Sequence, residues 1–242
     1  MTRLLTCVIG VLVLVTLVAP AVSAQWLMDL EVRYFGSYNA VRADFSTASN
    51  VYTGPWRAYH DHAATDYFSD LYCAQLYSAM PEGWKHFTVY PTATAPNPSP
   101  PGPPYSHEGL NWAAAMYNHV APGLYLNYSV DAQAQRSALQ MAIWEALYDW
   151  NDSENYTNSI SLGDGSFYVE HFDSTPVGYT GEQITTMANA LLSNPVYQYQ
   201  GSGAYFDDGQ NLLGPIPEPS AIILLGVGLL GTGLILNKRR KK

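Results

Sequence analysis

Cysteine and lysine are what this 242-residue chain has least of. It holds two cysteines, Cys7 and Cys73, and Cys7 falls within an apolar leader. Removal of that leader leaves one thiol, which excludes an internal disulfide. Outside the cell a lone thiol is oxidised unless it is buried, capped or joined to another group. Between Gln25 and Pro219 the basic residues are only Arg33, Arg42, Arg57, Lys85 and Arg136, against 20 acidic ones, so that segment carries a charge near −15. Such a surface excludes binding to nucleic acid or anionic lipid by charge. Metal-ligand spacing is also missing. In His60-Asp61-His62 the three side chains point in different directions and lack a third spaced ligand, so a solvated loop is expected. Asp149, Asp152 and Glu154 lack the spacing and the glycine of a calcium loop. No metal or cofactor is expected. What is plentiful is tyrosine, at 19 residues, which suits an exported domain with polar aromatic contacts.

The two ends read as addresses. Arg3 precedes an apolar run from Leu4 to Val18, and Val22-Ser23-Ala24 closes it as a small-residue cleavage site, so residues 1–24 are expected to be a signal peptide. At the other end Pro217-Glu218-Pro219-Ser220 leads into an apolar run from Ala221 to Leu236, then into Lys238-Arg239-Arg240-Lys241-Lys242. With its flanking residues this run gives an expected transmembrane helix at 220–237, at the short end of the roughly 17–25 residues that span a bilayer. The basic cluster would stay cytoplasmic and put what precedes Pro217 outside that membrane. The order Pro-Glu-Pro, apolar helix, basic cluster resembles the PEP-CTERM sorting signal over residues 217–242, within a tail taken as 215–242. The resemblance implies a Gram-negative, polysaccharide-producing host and a membrane protease-transpeptidase, exosortase, as partner. It also implies an inner-membrane-anchored precursor that ends at the cell surface or in the extracellular matrix.

Residues 25–214 are expected to form one α+β domain, sheet- or sandwich-like, with a small helical cluster. Alternation predicts a strand over Leu27–Gly36 and another over Val51–Tyr59 with a break at Gly54-Pro55. Phe68–Tyr77 is apolar enough for a buried strand, and Trp84–Tyr90 follows a Pro81-Glu82-Gly83 turn as its expected partner. Seven prolines in the fourteen residues from Pro91 to Pro104 mark a stiff insertion, taken here as 91–105. Ser106–Val120 reads as a helix ended by Pro122-Gly123. A second helix, capped by Ser129 or Asp131, is expected to be amphipathic, with Leu139, Ile143, Ala146, Leu147 and Trp150 on its buried face and Gln140 beside it. Ser166–His171 reads as a strand, Thr180-Gly181-Glu182-Gln183 as a capping box opening a helix, and Tyr197–Leu213 as a last strand with a short polar run.

Tyr72-Cys73, followed by Leu139-Gln140-Met141-Ala142-Ile143-Trp144-Glu145, resembles the thioester domain of bacterial surface adhesins over about Leu71 to Trp150. That resemblance implies an internal bond between the Cys73 sulfur and the Gln140 side-chain carbonyl, made with loss of ammonia. It would later acylate an amine or hydroxyl nucleophile on a surface, in biofilm or adhesion. A thiol and a primary amide react negligibly in water, but a rigid strand and helix holding them at about 3–3.5 Å would supply a large effective molarity. Tyr72 and Trp144 are the expected shields against hydrolysis. The bond is used once, so the protein is not expected to be an enzyme. Two readings compete with it. One is a structural extracellular matrix protein with a free buried thiol, since a lone cysteine usually just packs. The other is a Cys-His hydrolase with His60, His86, His107, His119 or His171 as base, for which no local signature exists.

Overall fold

A computed structural model describes residues 26–34, 41–45, 48–63, 65–75, 82–92, 95, 107–149, 162–163, 167–194, 203–207 and 211–215. The chain divides into two compact units, one spanning Gln25–Pro215 and the other made of Met1–Ala24 and Ile216–Lys242. The expected signal peptide and the helix at 220–237 belong to the second unit and lie outside the described residues, as does nearly all of the proline-rich stretch. Among the described residues no helix is long and apolar enough to cross a membrane.

The first unit is α+β. Its strands are β1 (Trp26–Tyr34), β2 (Val41–Phe45), β3 (Ala48–Thr53), β4 (Trp56–Tyr59), β5 (Tyr67–Cys73), β6 (Gly83–Pro91), β7 (Val169–Ser174), β8 (Ala204–Asp207) and β9 (Leu212–Gly214). Its helices are α1 (His107–Leu124), α2 (Val130–Tyr148) and α3 (Gly181–Leu192). The expected sandwich is instead a closed antiparallel barrel in the order β1-β4-β5-β9-β8-β6, with a separate sheet β3-β2-β7. Closure comes from the C-terminal stretch read as one strand. It turns back on itself as β8 and β9, and these bridge β6 to β5. For the same reason β6 is not the partner of β5: it pairs with β1 and β8, while β5 lies between β4 and β9.

Period-two alternation fills the barrel. Leu30, Val32, Ala58, Leu71, Phe87, Val89, Phe206 and Leu212 are fully buried, whereas Leu27, on the outer side of β1, is 83% exposed. The interior has little slack at one point: a Cβ on Gly214 would collide with the Leu71 side chain and lie 2.9 Å from the Phe206 ring. The Gly54-Pro55 break does more than bend a strand, because β3 before it joins the small sheet and β4 after it joins the barrel.

The helices cover the outside of β5. Helix α2 starts at Ser129, whose Oγ accepts the Ala132 N–H at 3.2 Å. Its expected one-sided burial is corrected: every residue from Arg136 to Leu147 is buried. The reason is its surroundings, for it packs on α1, α3, β3 and β5 and from Arg136 to Leu147 has no free face. Trp150, expected on its inner face, lies outside the described residues. Helix α1 runs through Pro122 to Leu124 rather than stopping before it. Helix α3 carries the full capping box, Thr180 Oγ1 accepting from Gln183 N–H and Gln183 Oε1 from Thr180 N–H.

Candidate functional site

Cys73 is the last residue of β5, and its main chain explains where Gln140 sits. In an antiparallel ladder, successive residues aim their N–H and C=O at opposite neighbours. Ala74 donates to Asn211 O at 2.8 Å, on the β9 side, so the groups of Cys73 face the β4 side. But β4 begins at Trp56, which pairs with Leu71, and the chain two residues earlier is at the Gly54-Pro55 break. A buried strand edge is therefore left without a strand, which is costly unless another group serves it.

Gln140 supplies that group. Its Oε1 accepts the Cys73 N–H at 2.9 Å and its Nε2 donates to the Cys73 carbonyl at 2.8 Å. One carboxamide replaces a missing peptide unit of β4. One helical turn earlier, Ser137 Oγ donates to Thr53 O at 2.8 Å, at the end of β3. Both sides of the break are thus served from one side of α2. Gln140 is fully buried, not at the edge of the core where spacing alone placed it.

The Cys73 side chain is placed by the register of β5. Cys73 lies directly across from Leu212 and shares its face with Leu71 and Trp56, the inner face of the barrel. There the Trp56 indole N–H donates to Sγ at 3.1 Å. Burial pushes the Cys73 thiol up to about 12, against the opposing pull of the Trp56 hydrogen bond. A free thiol here is neutral at physiological pH, unlike the depressed thiolate of an activated cysteine nucleophile. The histidines considered as bases are engaged elsewhere. His86 Nδ1 is 2.7 Å from Asp29, His171 is 3.6 Å from Asp173, and His60 lies edge-on to Phe68. His119 is exposed, and the side chain of His107 lies outside the described residues.

The two expected shields are buried but are packed on other partners. Tyr72, next to Cys73 and so on the opposite pleat, meets Tyr117 of α1 edge-on with centroids 5.8 Å apart. Trp144 meets the Phe167 ring at 6.5 Å. The aromatic on the sulfur is Trp56, which the sequence reading did not single out. Its signal was faint: a tryptophan just after a Gly-Pro break.

Three residues back along β5 is a second polar cluster. Asp70 lies 3.6 Å from Arg57 Nε and 3.5 Å from Arg136 Nε, with Asp70 and Arg136 both buried. Burial raises the Asp70 carboxyl above its ordinary range, and the two guanidiniums oppose that. Arg136 also donates to Asn127 O at 2.7 Å and to Leu124 O, so it closes the C-terminal end of α1. Tyr117 donates to Asp70 O at 3.0 Å and lies 2.7 Å from Ser69 Oγ. Burial raises the Tyr67 and Tyr117 phenols above their usual range, so both stay neutral hydroxyls.

The His60-Asp61-His62 turn is held by Asp61, whose carboxylate accepts from Thr65 N–H at 2.8 Å, from Asp66 N–H at 2.9 Å and from the Thr65 hydroxyl. His62 stacks on Trp84. Among the described residues no group of three or more His, Cys, Asp or Glu is placed to hold a metal. Asp149 accepts the Phe167 N–H at 3.0 Å, while Asp152 and Glu154 lie outside the described residues.

Residues 215–241 match the model of the PEP-CTERM protein-sorting motif, which contains Pro217, Glu218 and Pro219. The tail marks an exported protein of the kind sorted by exosortase, and it is consistent with a membrane-anchored precursor. No curated protein and no solved structure matches the chain.

Proposed function

We propose that this exported domain stores a thioester between Cys73 Sγ and the Gln140 side-chain carbonyl carbon, and uses it once to attach covalently to a surface amine or hydroxyl. The observation that carries the reading is the Gln140 carboxamide docked on the main chain of Cys73 by two hydrogen bonds. Residues 67 apart in sequence are held as neighbours by a strand and a helix, the rigid supports that such a reaction needs. In the forming step a sulfur–carbon bond is made as the carbon–Nε2 bond breaks. The thiol proton leaves with the amide nitrogen as ammonia. In the attaching step a nucleophile bonds to the carbon, the carbon–sulfur bond breaks, and the nucleophile's proton returns to the sulfur. The domain is consumed in this step, so it acts as a single-use acylating agent at the cell surface or in a biofilm matrix rather than as an enzyme.

A structural matrix role with a free thiol also has an observation in its favour: the same two hydrogen bonds complete the barrel wall without any chemistry. Peptide mapping with mass measurement of the mature protein separates the two. The thioester predicts a Cys73 and Gln140 peptide pair lighter by one ammonia, absent from Cys73→Ala and Gln140→Ala chains. It also predicts a methylamine adduct on Gln140. A full-mass peptide pair that does not react with methylamine refutes it and leaves the structural role.

A further inference from the structure

We propose that the cleft between β5 and α1, together with the turn that follows α1, binds a neutral saccharide chain; this stands independently of the thioester. The cleft has a volume of about 340 Å³, within the size range of small-ligand sites, and its lining joins apolar Phe68, Ala121 and Pro122 to Tyr67, Asn118 and Tyr125. The Tyr67 and Tyr125 rings, both in its lining, pack on each other with centroids 4.7 Å apart and a tilt of 32°. Past it, the turn exposes large side chains in close succession: Tyr125 at 48%, Leu126 at 52% and Tyr128 at 57%. Leu126 has a φ of 50°, a left-handed conformation uncommon for leucine, and it is in this turn that the aromatic rings project. Tyr128 is fixed rather than loose, because Arg57 donates to its hydroxyl at 3.0 Å and lies 5.0 Å over its ring.

The chemistry selects the ligand class. An aliphatic ligand would strip water from the exposed Asn118 amide and Tyr125 hydroxyl without replacing those hydrogen bonds. A cation finds no net negative charge, since Asp70 faces both Arg57 and Arg136. A polyanion is repelled by a domain with far more acidic than basic residues. What fits is a ring with a flat C–H face for the tyrosines and a hydroxyl edge for the polar groups. Tyr128, three residues on from Tyr125 and exposed, offers a further ring surface for the next unit of a chain.

The test is calorimetric titration of the full chain in detergent with neutral glucan, mannan and galactan hexasaccharides, a polyuronate and an apolar hexapeptide. It is done on Cys73→Ala protein so that acylation plays no part. At least one neutral hexasaccharide should bind saturably. Tyr125→Ala and Tyr128→Ala should each weaken it by about tenfold, the value of losing one ring contact of about 1.4 kcal/mol. Both side chains are about half exposed or more, and a thermal melt checks that the variants fold. The proposal is overturned by no saturable binding to any neutral hexasaccharide, by binding that both variants leave unchanged, or by stronger binding of the polyuronate or the peptide.

Discussion

Replacing Gln140 by Met in a Cys73→Ala background isolates the hydrogen bonds from any covalent chemistry. Methionine nearly conserves volume and removes the amide, so the change tests the two bonds to residue 73 and little else. Those bonds, at 2.9 and 2.8 Å, serve a buried N–H and a buried carbonyl at a place where β4 has not begun. Leaving each without a partner costs about 1–3 kcal/mol, so the pair costs about 2–6 kcal/mol. That is a large part of the roughly 5–15 kcal/mol by which a domain is stable. Urea unfolding of the full chain, followed by the fluorescence of buried Trp56, Trp112 and Trp144, reads the difference. A Gln140→Glu chain adds a sign check. The protonated acid can make both bonds, but the carboxylate can only accept. Burial raises its pKa in the fold, so stability should be highest below the ordinary glutamate value of about 4.3 and fall as pH rises through the folded value. A loss under about 0.5 kcal/mol in the Met chain, well below the smallest of these costs, would falsify the claim that Gln140 completes the strand.

Two further outcomes are expected. A free Cys73 thiol, held near 12 in the fold against about 8.5 unfolded, gives stability present below about pH 8.5 and lost as pH rises toward 12, by up to about 1.4 kcal/mol per unit. Buried Tyr67 and Tyr117 add an alkaline slope of their own, so methylamine-treated protein should show a steeper one than Cys73→Ala; equal slopes would contradict a buried thiol. Arg136→Met should cost about 3–5 kcal/mol in the same unfolding assay, because it takes one cation from buried Asp70 and two donors from the end of α1. A change below about 1 kcal/mol would show the cluster to be solvated.

Local signals in the chain were read well where one face of an element meets water. The alternation in β1, the Gly54-Pro55 break and the Thr180 capping box all appear where the residues place them. Helix α2 departs from its expected amphipathic form because its stretch from Arg136 to Leu147, buried on every side, has no polar stripe, and small alanines and a Ser, Gln and Arg inside it look like surface residues. Barrel closure was hidden for a different reason. It depends on two short strands, β8 and β9, pairing with residues more than a hundred positions earlier, and nothing in a four-residue stretch names so distant a partner. At the site, Cys73 and Gln140 stood out by resemblance to a motif, but Trp56 did not. Its place on the sulfur follows from strand register, which spacing does not disclose.

The break between β3 and β4 makes part of the barrel wall depend on rotational phase. Ser137 and Gln140 reach the two sides of the gap only because α2 presents them at one angle. Inserting a single residue near the start of α2 would turn everything after it by about 100° and carry both side chains away together. A lesion that leaves every strand untouched would then open a seam in the sheet.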